Sequence, residues 1–157
     1  MPAGRDPRFR DDPPTILSFE GGPRLDLRRP LSTADRRALA ALELGPAFAV
    51  FTAENPAGAE GAARSPDELI DRQRADARRI LRLEEHLARE GIPFRRARSS
   101  GADGGPVERC VALGASRGEA QRLAGDRDRV ALFWYDGERF WLCPARVDEA
   151  PRPLPAP

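Results

Sequence analysis

Thr52, Glu54 and Asn55 stand where the most apolar run of the chain, Ala47 to Ala53, ends before Pro56. A hydroxyl, a carboxylate and an amide at one strand end are groups that a small-ligand cleft or general acid and base chemistry would use. The structural reading of the same residues is a turn in which Asn55 caps the chain before the proline and Thr52 completes a ladder. Asp76 and Arg79 follow at a spacing of three. Paired on the surface of a helix they contribute only about 0.2–0.5 kcal/mol. Turned toward the Asn55 loop, the arginine would hold a carboxylate or phosphate in its planar fork. With Glu108 these six residues, Thr52, Glu54, Asn55, Asp76, Arg79 and Glu108, form the candidate ligand-binding set, and no catalytic residue is assigned.

Other reactive side chains are sparse. All 26 basic residues are arginine, set against 25 acidic ones, for a formal net charge of +1. Without a lysine the chain has no amine for a Walker A loop or a Schiff base. Two cysteines, Cys110 and Cys143, and one histidine, His86, are too few soft ligands for a structural zinc site, so no metal and no cofactor is expected. The cysteines read as small buried apolar residues and His86 as a surface residue late in a helix. Arg74, Arg78 and Arg82 repeat every four residues, but acids lie among them and the stripe reads as a solvated face. Balanced charge argues against broad nucleic-acid binding, since a phosphate backbone is normally held by a basic excess. No apolar stretch approaches the roughly 20 residues of a membrane span, nor does the start resemble a signal peptide. A cytoplasmic protein with reduced thiols is expected.

The elements that must position these groups are legible in order. Residues 1–14 hold proline, arginine and aspartate with few large apolar side chains and read as a flexible arm. Residues 15–143 read as one domain. It opens with a hairpin of two short runs around Gly21-Gly22, followed by a short helix capped by Ser32 and Asp35 and the apolar strand from Ala47. Ser65-Pro66-Asp67-Glu68 places a cap, a proline at the first helical position and acids in the first turn, so a long helix begins there. It stops at Gly91, with Ile92 packing back on Leu87. Pro93 to Ser99 reads as an arginine-guarded edge strand and Glu108 to Leu113 as its partner. Ser116 and Glu119 open a further short helix. Val130 to Tyr135 and Arg139 to Cys143 flank Asp136-Gly137, which predicts a type I′ hairpin carrying Trp134, Tyr135 and Trp141 as cross-strand packing. Five prolines in residues 144–157 predict a disordered tail.

From Ala47 the order contains β-α-β-β-α-β, which predicts an α+β, ferredoxin-like core. Its two helices would lie on one face of a mainly antiparallel sheet, with one extra C-terminal hairpin strand.

The residues now in view resemble the bacterial domain of unknown function 3293 family over about residues 47–143. The match is carried by Thr52, Ala53, Asn55 and Pro56, which follow its Thr-Ala-x-Asn-Pro signature. More loosely, Asp76, Arg79, Leu83 and Leu87 follow its helix motif, with aspartate for the usual asparagine, and Glu108 with Cys110 follow its Glu-x-Ser element. Arg127-Asp128-Arg129 stand where the family tends to Phe-Gly-Gln. The resemblance implies one small domain and brings no activity with it. The function expected is a non-catalytic binding or protein-interaction module with a protein or small-molecule partner. The alternative is a small-ligand sensor or small enzyme using carboxylates and an arginine at the Thr52–Asn55 strand end. RNA binding is a minor third reading, since Glu108 to Leu113 offers no aromatic for base stacking.

Overall fold

The computed structural model describes residues 16–52, 65–101, 107–126, 131–144 and 150–155. Among these residues eight strands run in chain order with three helices: β1 (Ile16–Phe19), β2 (Arg24–Asp26), α1 (Thr33–Ala40), β3 (Phe48–Thr52), α2 (Pro66–Arg89), β4 (Phe94–Ser100), β5 (Glu108–Leu113), α3 (Arg117–Asp126), β6 (Ala131–Tyr135), β7 (Phe140–Pro144) and β8 (Arg152–Leu154). All the strands join one sheet in the order β2-β1-β4-β5-β3-β6-β7-β8, with every neighbouring pair antiparallel.

Local chemistry sets the helix ends. Ser32 and Asp35 close a reciprocal capping box on α1. Ser65 accepts from the Glu68 backbone N–H at the start of α2, with Pro66 in the first turn. At the other end Gly91 takes φ +69° and the Ile92 N–H donates to the Leu87 carbonyl, 2.9 Å, giving a Schellman ending. Ser116 and Glu119 cap α3 reciprocally at 3.3 and 3.4 Å.

Alternation along the strands divides the interior in two. Leu17, Phe19, Phe48, Val50, Ala97, Cys110, Ala112, Tyr135 and Phe140 share one cluster with Leu39 of α1 and the following Leu42 and Leu44. Ala49, Val111, Leu113, Leu132 and Cys143 project oppositely and meet Ile80, Leu83 and Leu87 of α2 and Ala120 and Ala124 of α3. The ring of Phe19 lies 6.1 Å from that of Phe48, although two strands separate β1 from β3. In a flat sheet that separation would be about 14 Å. The sheet therefore curls into a half-barrel around the first cluster, with α1 on the concave side and α2 and α3 on the convex side.

This architecture corrects the ferredoxin-like expectation. The structure is an eight-stranded curled antiparallel sheet with helices on both faces, not a β-α-β-β-α-β core with its helices on one face and a single strand appended. The first hairpin adds two strands beside β4, so the arginine-bearing strand lies inside the sheet instead of at its edge. At the far end Arg152–Leu154, within the stretch expected to be a disordered tail, pairs with β7 as β8. Proline is tolerated there because β8 is an edge strand. The Asp136-Gly137 turn also differs: only Gly137 has a positive φ, +104°, and the loop spans Asp136 to Arg139 between the paired Tyr135 and Phe140. The Asp136 carboxylate stabilises that wider loop, accepting from the backbone N–H groups of Glu138, 2.8 Å, and Arg139, 2.9 Å. The expected arm at 1–14 lies outside the described residues.

Candidate functional site

On the convex side α2 runs across β4 in the opposite direction, and a cavity of about 690 Å³ opens between them. Ala77, Ile80 and Leu81 of α2 supply its apolar wall, with Leu81 53% exposed. The opposite wall comes from three neighbouring strands. The pairing register places Ser18 against Arg98 and Arg98 against Arg109, so a hydroxyl and two guanidinium groups stand in one row. Alternation sends all three to the convex face, because Leu17, Phe19, Ala97 and Cys110 pack in the concave cluster.

One row further along β4 the polarity changes. Arg96 donates to both carboxylate oxygens of Glu84 on α2, at 2.8 and 3.0 Å. This pairing, reinforced by the charge of Glu20, raises the pKa of the Arg96 guanidinium above its ordinary value. Glu20 is also tied to the strand, its N–H donating to the Arg96 carbonyl at 2.9 Å. The groove thus has a neutralised end at Arg96 and a cationic end at Arg98. Arg98 has no ion pair among the described residues.

The six residues singled out in the sequence lie apart from this row. Thr52 ends β3, its backbone beside Cys110 of β5, while Glu54 and Asn55 fall outside the described residues. Asp76 and Arg79 bond each other at 2.6 Å along α2. Glu108 opens β5 opposite Ser99, adjacent in sequence to the groove residue Arg109. Ser18, Arg98 and Arg109 were missed because the arginines of β4 read as guards of an edge. The available signal was the alternation Arg96-Ala97-Arg98, which puts both guanidinium groups on one face of a strand.

The cysteines are poorly placed for nucleophilic chemistry. Cys143 is fully buried, and burial pushes its thiol up to about 11 against the opposing charge of Arg117. Cys110 is 4% exposed and its Sγ lies 3.4 Å from the Ser99 hydroxyl, to which it donates. Among the described residues no group of three His, Cys, Asp or Glu side chains is placed to hold a metal ion, and no helix is long and apolar enough to cross a membrane.

These features define an α+β domain with a half-open groove that is cationic at one end. No protein-family model matches the chain, and neither does a curated protein or a solved structure.

Proposed function

We propose that this chain is a non-catalytic binding module whose seat is the groove beneath α2, and that its ligand presents an anionic group to Arg98. The observation that carries this reading is the cross-strand row Ser18-Arg98-Arg109 facing the apolar wall of Ala77, Ile80 and Leu81. A guanidinium fork beside a hydroxyl offers the geometry that carboxylate and phosphate oxygens accept. The cavity volume falls within the range of about 300–1,000 Å³ typical of small-molecule sites. An acid and base role for the earlier candidates has weaker support, since Asp76 and Arg79 already satisfy each other on one helix. We place the protein in the cytoplasm because neither buried cysteine, Cys110 or Cys143, forms a disulfide. The likeness to the domain of unknown function 3293 family fits a single small domain and adds no activity.

The test is a thermal-shift titration of the full chain with inorganic phosphate and with acetate, at ionic strength matched by sodium chloride. Ligand at 100 times its dissociation constant stabilises the folded state by about 2.7 kcal/mol. The shift should disappear in Arg98→Gln and persist in Arg79→Gln. Equal shifts in wild type and Arg98→Gln, or none in either, would overturn the assignment of this groove.

A further inference from the structure

We infer that the occupant of the groove is a linear carboxylate amphiphile: a single anionic head seated by Ser18 and Arg98, with an unbranched apolar body lying along α2. The inference rests on the anion-binding reading above and extends it to the other end of the ligand. Three features of the groove select this chemistry together.

The first is the polarity gradient. Glu84 and Glu20 occupy the surroundings of Arg96, so a second negative charge on a ligand would meet carboxylates at that end. A compound anionic at both ends is disfavoured; a compound anionic at one end fits. The second is the apolar stripe on α2. Ile70, Ala77 and Leu81 are spaced by seven and four residues and share one helix face. Ile70 is 44% and Leu81 53% exposed, so apolar surface continues along the helix past the groove. The third is size, because a cavity of about 690 Å³ lies within the range of about 300–1,000 Å³ of small-molecule sites. The head is bound by charge and hydrogen bonds and the body by removal of Leu81 from water.

Isothermal titration of the full chain with acetate, butanoate, hexanoate and octanoate, and with neutral 1-octanol, separates head from body. Affinity should rise by up to about fourfold per methylene along the acids, the factor expected for burying one CH₂. Arg98→Gln should weaken octanoate at least tenfold while leaving octanol unchanged. Leu81→Ser should flatten the dependence on chain length while leaving acetate unchanged. Both side chains are exposed, and an unaltered melting temperature of the unliganded variants checks that each is folded.

Anion binding that requires Arg98 but is indifferent to chain length would overturn the amphiphile and leave the anion-binding reading standing. Failure of every acid, with phosphate also inert, would overturn both. Retention on vesicles of phosphatidylglycerol with no binding of free octanoate would assign the groove to a lipid surface and likewise overturn the inference.

Discussion

At the scale of single residues, Gly114 and Asp136 show how far one atom decides local structure. A Cβ on Gly114 would land on the Leu44 carbonyl oxygen and within 2.9 Å of the Pro93 ring, where the segment after α1 crosses the end of β5. Gly114→Ala should therefore lose roughly 1–3 kcal/mol, the usual cost of overpacking, in urea denaturation. Asp136 is legible as a turn residue, but the turn it makes is decided by its own acceptor oxygens. Burial pushes its carboxyl up, yet the N–H donors of Arg139, Trp141 and Glu138 outweigh burial and hold it below the ordinary range. A carboxyl lowered by folding contributes stability above its unfolded pKa, about 3.9, and that contribution is lost as pH falls through the folded value. Asp136→Asn keeps one acceptor for the loop and cannot ionise. It should cost on the order of 1 kcal/mol at pH 7, with solvent screening limiting the loss, and reduce the fall in melting temperature between pH 5 and 2.

At the scale of elements, α2 was the most readable segment because its signals are local: Ser65, Pro66 and two acids at one end and Gly91 at the other. Ser65→Ala should remove about 1 kcal/mol through loss of the bond to the Glu68 N–H. Gly91→Ala, which must adopt φ +69°, should cost about 1 kcal/mol as well. Chemical denaturation of each variant checks both values. β4 was readable as a strand but not as an interior one. Its arginines suit an edge, and only the long-range pairing of Ile16–Phe19 with Ala97–Ser100 covers it. The same pairing creates the row Ser18-Arg98-Arg109, so the misplaced edge and the missed site have one cause. β8 escaped notice for a related reason: proline-rich composition argues against order, whereas an edge strand needs only one side of its backbone paired.

At the scale of the whole molecule, the curled sheet separates two clusters that the chain visits alternately. Leu17→Ala on the concave side and Leu87→Ala on the convex side should each cost about 2–5 kcal/mol, and the two losses should add within about 0.5 kcal/mol because the sheet lies between them. Phe48→Leu with Tyr135→Leu should not add, since those rings lie 5.1 Å apart within one cluster, and the coupling should be about 0.5–1.5 kcal/mol. A double-mutant cycle in urea measures both cases. Additivity within the ring pair would contradict the packing. What the sequence determined by itself was everything set by neighbours within a few residues: helix starts and stops, the apolar central strand, the absence of an amine nucleophile, and the alternation that sorts side chains to two faces. Which strands lie side by side, that the sheet curls until Phe19 touches Phe48, and that Ser18, Arg98 and Arg109 share a row were decided only by the tertiary structure. Those contacts join residues up to about ninety positions apart, and local propensity carries no term for such separations.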